Sequence, residues 1–299
     1  MREKLEKIRD LVNELITSLG ESAPNLMLNE KRIALENDTE FGLLKGLLES
    51  DEWPEAVFSA QIADESSESD KMERAEGISD ILLPPFSGKK FLDFGCGEGH
   101  VAKYVSSEAS FSVGYDVTRS PTCQLEWENK TEKLLLTTDF EKVKAEGPFD
   151  IILIYDVLDH SHESPEEVLL KAKSLLYEEG KIYLRCHPWT GRHGGHAYRK
   201  INKAFVHLVF DEKELSELGV IVEHNRKVLR PINTYNKAIE GAGLKRSEPE
   251  VDTQEVEAFF EENPLVRSRI LKSLGLVNWT SDTPAFQMSQ CFLDYVLKK

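Results

Sequence analysis

Three glycines stand in alternation directly after a short apolar segment. The sequence KFLDF at 90–94 runs into Gly95, Gly97 and Gly99, and a helix is expected to begin near His100. Glycine lets the backbone turn sharply and lets a ligand approach where any Cβ would collide. The free N–H groups of the following helix point at such a ligand. The segment therefore predicts a binding turn between a strand and a helix.

An acidic residue follows at the end of the next apolar segment. The sequence FSVGY at 111–115 leads into Asp116 and Val117, and a carboxylate at this point can bind the hydroxyls of a ribose. A nicotinamide or flavin fold requires G-x-G-x-x-G/A, whereas here the third glycine comes one residue early and His100 takes the sixth position. The spacing disfavours a nicotinamide oxidoreductase and suits an adenosyl compound that has no pyrophosphate.

Strand-like and helical segments alternate from residue 90 to residue 187. We expect strands at 90–94, 111–115, 133–137, 149–155 and 181–185, with helices from about 100 and over 165–177. The run FDIILIY at 149–155 is almost wholly apolar, as in strands buried on both faces of a parallel sheet. This alternation predicts a doubly wound α/β fold.

The flanking regions extend this core. Helical spacing is found at 2–19, 39–49, 71–83 and 233–241, and again over 254–275, whereas strand-like sequence is found at 244–251 and 286–297. We expect seven strands in a mostly parallel sheet. The expected domains are an N-terminal helical extension over 1–75 and a core domain over 76–299, with inserts at 188–231 and 254–280.

Composition limits the partners. The 299 residues carry a formal net charge of −16, which repels bulk nucleic acid and anionic membranes. No apolar run approaches the roughly 18 residues of a membrane span, and the first twenty residues have neither a signal nor a transit pattern. The four cysteines are scattered, which suits a reducing compartment. We expect an intracellular, cytoplasmic protein without a membrane partner and leave its oligomeric state open.

Several motifs together resemble class I S-adenosylmethionine-dependent methyltransferases. LDFGCGEGH at 92–100 resembles the first motif of that family, GYD at 114–116 the second and TTDF at 137–140 the third. FDIILIYDVLDH at 149–160 resembles the fourth motif and LLYEEGKIYLR at 175–185 the fifth. The resemblance covers about 88–187 well and 233–297 weakly. It implies a Rossmann-like methyltransferase fold and S-adenosyl-L-methionine as the cofactor.

The resemblance also implies the cofactor-binding residues. Asp93 and the glycine turn would line the methionine part, Asp116 would hold the ribose, and Tyr155 with Asp156 would lie under the sulfonium. Asp139 and Phe140 would flank the adenine. The full expected set is Asp93, Gly95, Cys96, Gly97, Gly99, Asp116, Val117, Asp139, Phe140, Tyr155 and Asp156.

Five of the eight histidines fall within 160–196. Methyl transfer is an in-line displacement that needs mainly alignment and exclusion of water, but a hydroxyl or amine acceptor must also lose a proton. Histidine is suited to accept that proton near neutral pH. We rank His187 first as the catalytic base, then His193, then His160, and a packing role stays open for each.

A metal is an alternative that we do not expect. Asp156, Asp159 and His160 resemble the E-x-x-E-H ligand pattern of methyltransferases that act on RNA 3′ ends, and His187 or His196 would complete such a site. Oxygen and imidazole ligands would suit Mg²⁺ or Mn²⁺. A similar stretch is common in class I enzymes that need no metal.

The insert after the fifth strand is expected to select the substrate, because ligands of open α/β sheets bind beyond the carboxyl ends of the strands. Residues 181–210 contain six basic residues and no acidic one, namely Lys181, Arg185, Arg192, Arg199, Lys200 and Lys203. This favours an acceptor with phosphate or carboxylate. The glycines of this insert suggest a mobile lid. The expected substrate-binding residues are Arg185, Trp189, Arg192, His196 and Tyr198.

The functional prediction is methyl transfer to an O or N acceptor, either an anionic small molecule or a nucleotide-like one. Two alternatives stay open: an inactive methyltransferase fold that serves as a binding protein, with Trp53 and Phe58 on a docking surface, and a metal-assisted RNA methyltransferase. Nucleic acid would bind through the basic segment 181–210.

Replacing Gly97 by valine tests the glycine turn. Gly97→Val should abolish S-adenosylmethionine binding without unfolding the chain, because the new side chain would enter the expected methionine site. Isothermal titration measures the binding, and circular dichroism verifies the fold. Retained affinity would mean that the turn is misassigned.

Overall fold

The computed structural model describes residues 39–57, 67–220, 230–247, 254–275, 288 and 292–299. The chain divides into two compact units, Met1–Glu52 and Trp53–Lys299. In the first unit the described helix is α1 (Glu40–Leu48), whose N-terminus is capped by the side chain of Thr39. The expected helix at 2–19 lies outside the described residues.

The second unit contains the strands and the other helices that the structure describes. Its first part is α2 (Glu68–Leu82), β1 (Lys90–Phe94), α3 (His100–Val105), β2 (Phe111–Tyr115), β3 (Leu134–Thr137), α4 (Phe140–Glu146), β4 (Phe149–Tyr155), α5 (Pro165–Ser174) and β5 (Leu176–Cys186). Its second part is α6 (Val206–Val209), α7 (Glu212–Glu217), α8 (Ile232–Gly241), β6 (Lys245–Arg246), α9 (Gln254–Glu262), α10 (Pro264–Ser273) and β7 (Leu293–Lys298).

The seven strands form one sheet in the order β3-β2-β1-β4-β5-β7-β6. The pairs among β1 to β5 are parallel, and β7 runs antiparallel to both β5 and β6. The order reverses between β1 and β4, so the carboxyl ends of these two strands border the crevice where such sheets bind ligands. The structure confirms the expected doubly wound, mostly parallel fold.

Each face of the sheet is covered by helices, because successive side chains of a buried strand point to opposite faces. Leu92 and Ile152 pack with the residues of α5 and α8 on one face. Phe91 and Leu153 lie on the other face, where Ile78 of α2 also packs. Helix α2 begins with a capping box in which Ser67 and Asp70 bond each other's backbone. The expected domain boundary at residue 75 lies inside this helix.

Strand β5 begins earlier than the sequence predicted. We expected the preceding helix to reach 177 and the strand to start at 181, but α5 ends at Ser174 and β5 starts at Leu176. A Cβ on Gly180 would stand 3.0 Å from the carbonyl oxygen of Phe149. Glycine therefore permits a close approach of the two strands here.

The segment after β5 is packed into the body of the unit. Trp53 is buried, and its indole Nε1–H donates to the carbonyl oxygen of Ala204 at 2.7 Å. Its ring lies 6.2 Å from that of Phe210 and 5.6 Å from that of Phe259. The expected docking role of Trp53 is therefore wrong, since an exposed surface needs an exposed ring; Phe58 lies outside the described residues.

Glycines in this segment serve close packing. A Cβ on Gly194 would lie 2.4 Å from the carbonyl oxygen of Trp189, and one on Gly195 would lie 2.3 Å from Cβ of His207. These contacts explain both glycines without any motion of the segment. The lid stays a prediction.

Membrane-spanning helices were sought among the described residues. None of these helices has both the length and the apolar character that a bilayer requires.

Removing the Trp53 ring tests how much this packing stabilises the fold. Trp53→Ala should lower the free energy of unfolding by about 3–5 kcal/mol, because a large buried side chain is lost together with its hydrogen bond. Urea denaturation measures the change. Ile81 is 72% exposed, so Ile81→Ala serves as the control and should change stability by less than about 0.5 kcal/mol. Equal effects of the two substitutions would contradict the packing role.

Candidate functional site

The glycine turn between β1 and α3 has a left-handed backbone at each glycine. The φ angles of Gly95, Gly97 and Gly99 are 86°, 55° and 89°. A Cβ on Gly95 would lie 2.3 Å from Cγ2 of Val157, and one on Gly99 would lie 2.8 Å from the δ-carbons of Leu136. Gly97 has no atom within 4 Å of its would-be Cβ. Packing thus requires two of the glycines, whereas Gly97 presents bare backbone to open space.

The carboxylate of Asp116 ties this turn to the end of β2. Its Oδ2 accepts a hydrogen bond from the Gly97 N–H at 2.9 Å, and its Oδ1 accepts one from Thr118 at 3.3 Å. The Gly95 N–H also bonds the carbonyl oxygen of Tyr115 at 2.7 Å. Val117 beside Asp116 is 72% exposed, so an apolar face lies next to the carboxylate.

A first cavity of about 410 Å³ opens over the turn. Helix α2 forms the positively charged side of the cavity. Strand β1, the glycine turn and the end of β4 form the remainder of its wall. The lining residues are Lys71, Arg74, Ala75, Ile78, Asp93, Gly95, Cys96, Gly97, Glu98, His100, Val101, Tyr155 and Asp156. Two cations and three carboxylates in one cavity suit a zwitterionic ligand such as an amino acid.

Asp93 is the buried carboxyl of this first cavity. Burial, together with the nearby charge of Asp116, raises its pKa to about 7. Cys96 turns its sulfur inward, since a Cβ on Gly114 would lie 3.1 Å from that sulfur, and burial raises the pKa of the thiol. Cys96 therefore contributes backbone to the cavity and not a reactive thiolate.

An ion-pair network holds α2 against the glycine turn. The ammonium of Lys71 lies 2.6 Å from Glu98 and 3.0 Å from Glu68, and Glu68 lies 2.9 Å from Nε2 of His100. The hydroxyls of Ser120 and Thr122 both donate to Glu98 at 3.0 Å. The pKa of Glu98 is lowered by its bond from Lys71. The network fixes the position of the turn from both sides.

A second cavity of about 320 Å³ lies on the other side of the turn. The ends of β1, β2 and β4 and the residues that lead into α5 enclose it. Its lining residues are Phe94, Gly95, Tyr115, Asp116, Val117, Asp156, Val157, His160, Ser161, His162, Glu163, Val168 and Lys171. The two cavities share Gly95 and Asp156, which makes this pair the junction between them.

Asp156 lies at the carboxyl end of β4 with a φ of 53°, a conformation that aspartate tolerates better than most residues. Its N–H donates to the carbonyl oxygen of Arg185 at 2.9 Å, and its Oδ1 lies 3.1 Å from Nε2 of His187. Burial favours the neutral carboxyl, but the charge of His187 outweighs it and lowers the pKa of Asp156. The same ion pair raises the pKa of His187 against its burial.

His187 and His193 are both buried and bonded to each other. Nδ1 of His187 lies 2.8 Å from Nε2 of His193, so both ring nitrogens of His187 are engaged. Burial lowers the pKa of His193 to about 2, which keeps this imidazole neutral. The two histidines that the sequence ranked highest thus form a chain behind Asp156.

Of the three histidines that were expected to be catalytic, His160 lines a cavity. Its side chain is 43% exposed, and its ring lies 6.0 Å from the nearly parallel ring of His196. His196 also contacts the rings of His187 and Tyr198, at 5.3 and 5.9 Å. His196 and Tyr198 therefore surround the expected catalytic histidines.

Asp159 is fully buried next to this group. Burial and the nearby charge of Asp156 raise its pKa to about 6. Its Oδ2 lies 3.5 Å from Nε2 of His160. Ligand atoms of Asp156, Asp159 and His187 all lie within 4.8 Å of one another. Among the residues described, His187 and not His160 completes this cluster.

Other expected substrate residues are bonded within the chain. Arg185 forms a paired contact with Asp294 of β7, with Nε at 2.6 Å from Oδ1. The guanidinium of Arg192 donates to the carbonyl oxygen of Glu55 at 2.9 Å, and Lys203 donates to that of Trp53 at 3.1 Å. Trp189 is buried and lies against His207 at 4.8 Å. These side chains stabilise the segment after β5.

Asp139 and Phe140 begin α4 away from the lining of the two cavities. Asp139 caps the helix by accepting from the Glu141 N–H at 2.9 Å. The Phe140 ring packs against Phe94 at 6.3 Å and Tyr115 at 5.4 Å. Phe140 therefore packs behind two residues that line the second cavity.

Sequence reasoning missed the positive side of the first cavity. Lys71 and Arg74 stand one turn apart on the face of α2 that also carries Ala75 and Ile78. The spacing of these side chains was visible as one amphipathic face. The sequence does not show that this face lines the first cavity, because α2 precedes β1 in the chain and meets it only through tertiary packing. Arg74 lies 5.5 Å from the ring centre of Tyr155.

Comparisons with known proteins found similarity to methyltransferases. Residues 70–244 match a family model described as "Methyltransferase domain". The chain is 32% identical over 120 residues to a tRNA U34 carboxymethyltransferase of Photorhabdus laumondii, which covers 37% of this chain and 37% of that relative. It is 23% identical over 180 residues to a ubiquinone biosynthesis O-methyltransferase of Vibrio campbellii, covering 51% of this chain and 71% of that one.

A solved structure described as a putative S-adenosylmethionine dependent methyltransferase from Listeria monocytogenes superposes with a TM-score of 0.45 at 15% identity, covering 77% of this chain and 98% of that one.

The buried carboxyl of Asp93 should make stability depend on pH. Its folded pKa of about 7 lies above the ordinary aspartate value of 3.8, so the folded state binds more protons and stability falls as pH rises between these values. Asp93→Asn should remove this loss, which is at most about 4 kcal/mol for a shift of this size. Urea denaturation at pH 5 and pH 8 measures it. A stability difference between variant and wild type that does not grow with pH would contradict the account.

Proposed function

Because the chain belongs to the methyltransferase domain family, we propose that it transfers a methyl group to the hydroxyl oxygen of a small acceptor. The family match covers residues 70–244. The match identifies a methyltransferase domain, and the use of S-adenosylmethionine and the nature of the acceptor both belong to this proposal. The observation that carries the proposal is the junction at Asp156, which lines both cavities with His160 beside it.

The cofactor would lie across the glycine turn. Its methionine part would occupy the first cavity, where Arg74 can receive the carboxylate and Asp93 the ammonium group. Its ribose would reach Asp116, and Val117 would contact the adenine from the second cavity. Gly97 supports this arrangement, because nothing stands within 4 Å of the side-chain direction that it leaves free. The sulfonium would then lie near Gly95 and Asp156.

His160 is the proposed general base. A hydroxyl that attacks the methyl carbon must give up its proton, and the acceptor of that proton must reach the cavity. His160 does so with a side chain that is 43% exposed. His187 lines neither cavity, and both of its ring nitrogens are already engaged, one with Asp156 and the other with His193. The role of His187 is therefore to orient Asp156.

A small acceptor is favoured over a polymer. The second cavity of about 320 Å³ would hold the adenine end of the cofactor as well as the acceptor, which leaves room only for a small acceptor. Arg185, Arg192 and Lys203 from the basic segment bond other parts of the chain, which leaves fewer cations for a phosphate backbone. The oxygen acceptor also agrees with the printed name of the Vibrio relative, an O-methyltransferase.

Transfer RNA is the second candidate. The observation in its favour is the 32% identity over 120 residues to a relative named for tRNA. Lys200 is exposed and remains able to contact phosphate. With tRNA as the acceptor, affinity should fall steeply with salt and with Lys200→Ala. Labelled methyl from S-adenosylmethionine, offered to the small-molecule and tRNA fractions of a cell extract, separates the two candidates. Labelling of neither fraction would favour an inactive binding protein.

Replacing the proposed base tests the mechanism. His160→Gln should lower kcat with the labelled fraction by about 100-fold or more, the scale of general base catalysis, while the affinity for S-adenosylmethionine stays unchanged. The loss should shrink at high pH, where the acceptor ionises by itself. His162→Gln is the matched control, because His162 lines the same cavity. Equal kcat in His160→Gln and wild type would exclude His160 as the base.

A further inference from the structure

A buried carboxylate without a donor lies behind the junction of the two cavities. Asp159 is fully buried, and among the described residues neither of its oxygens has a hydrogen-bond partner. Oδ1 of Asp156 also lacks an aligned donor. Buried charges in proteins are paired with an opposite charge or coordinate a metal. The nitrogens that approach the pair are Nε2 of His187, 3.1 Å from Asp156, and Nε2 of His160, 3.5 Å from Asp159. A bound cation would neutralise the two carboxylates together.

The spacing of the surrounding atoms fits such a cation. One ligand atom each from Asp156, Asp159 and His187 lies within 4.8 Å of the other two, and Oδ1 of Asp156 lies 3.1 Å from Nε2 of His187. Metal–oxygen bonds of about 2.1 Å in an octahedron place neighbouring ligand atoms about 3 Å apart. The Asp156–His187 distance matches two ligands of one ion, and small movements bring in the third.

The partner of His187 prepares its ring for this role. Nδ1 of His187 lies 2.8 Å from Nε2 of His193. With the Nδ1–H donating to a neutral His193, the lone pair of Nε2 points toward Asp156. A metal-bound imidazole is usually oriented by a hydrogen bond at its other nitrogen. His193 is itself buried, so this orientation is held by packing.

We propose that Asp156, Asp159 and His187 bind one divalent transition-metal cation, of which Mn²⁺ is the representative. Two carboxylates neutralise its charge, and the imidazole favours Mn²⁺ over Mg²⁺. Three protein ligands leave open positions on an octahedral ion. Asp156 lines both cavities, so the ion would fix the carboxylate that borders the proposed position of the sulfonium. This inference rests on the proposed function for that position.

A second cluster serves as the matched control. Ligand atoms of Glu68, Glu98 and His100 also lie close together. There the ammonium of Lys71 already lies 3.0 Å from Glu68 and 2.6 Å from Glu98. A metal ion would be repelled by this ammonium, so the second cluster is expected to bind none.

Mn²⁺ binding to the metal-free full chain tests the proposal. The chain is stripped with a chelator and titrated with Mn²⁺ alone, and electron paramagnetic resonance measures the free ion. Wild type and Glu68→Gln should each bind one Mn²⁺ per chain, whereas Asp159→Asn should bind at least tenfold more weakly. Asp159→Asn should fold, because it replaces a buried charge by a neutral group of the same shape. His187→Gln provides a second variant and should show the same loss.

Three results would overturn the proposal: no Mn²⁺ bound by wild type, equal affinity in wild type and both site variants, or a loss that appears in Glu68→Gln instead. Titration of S-adenosylmethionine into the same metal-free chain separates this inference from the proposed function. Methyl transfer at full rate without metal would contradict the metal proposal and support the proposed function. Mn²⁺ bound at Asp159 in a chain that transfers no methyl group would support the metal proposal and contradict the proposed function.

Discussion

The hydrogen bond from the Gly97 N–H to Asp116 is the interaction on which the site depends. At 2.9 Å it joins the turn after β1 to the end of β2, while Val157 and Leu136 pack where side chains on Gly95 and Gly99 would stand. Contacts with Asp116, Val157 and Leu136 therefore hold the turn, and the backbone at Gly97 still faces open space. A carboxylate has room for several donors, so Asp116 can keep this bond and still receive ribose hydroxyls.

Different charged groups lie on the two sides of this turn. On one side Arg74 and Lys71 approach from α2, which packs on the face of the sheet that carries Phe91. On the other side the end of β4 brings Asp156 and the histidines together. The raised pKa of Asp93, about 7, shows how strongly burial disfavours charge without a ligand. A cofactor with an ammonium and a sulfonium would supply the missing positive charge.

The sequence predicted what depends on local pattern. Apolar runs predicted the strands at 90–94, 111–115 and 149–155 and their parallel arrangement. Glycine spacing predicted the sharp turn after the first strand, and the motifs on these elements predicted the methyltransferase family. The sequence does not show which of the three ranked histidines reaches a cavity. His187 and His193 are bonded to each other and to Asp156, while His160 faces a cavity, and this depends on where the segment after β5 packs. Trp53 appeared exposed for the same reason, since its partner Ala204 lies far along the chain. Arg185 was expected to bind the substrate, and the sequence does not show its contact with Asp294 of β7.

The most direct test is a crystal structure of the chain with S-adenosylhomocysteine, the product of the cofactor. The account predicts density across residues 95–99, with the ribose hydroxyls within hydrogen-bond distance of Asp116 and the sulfur near Asp156. Density elsewhere, or an empty turn at saturating product, would contradict it.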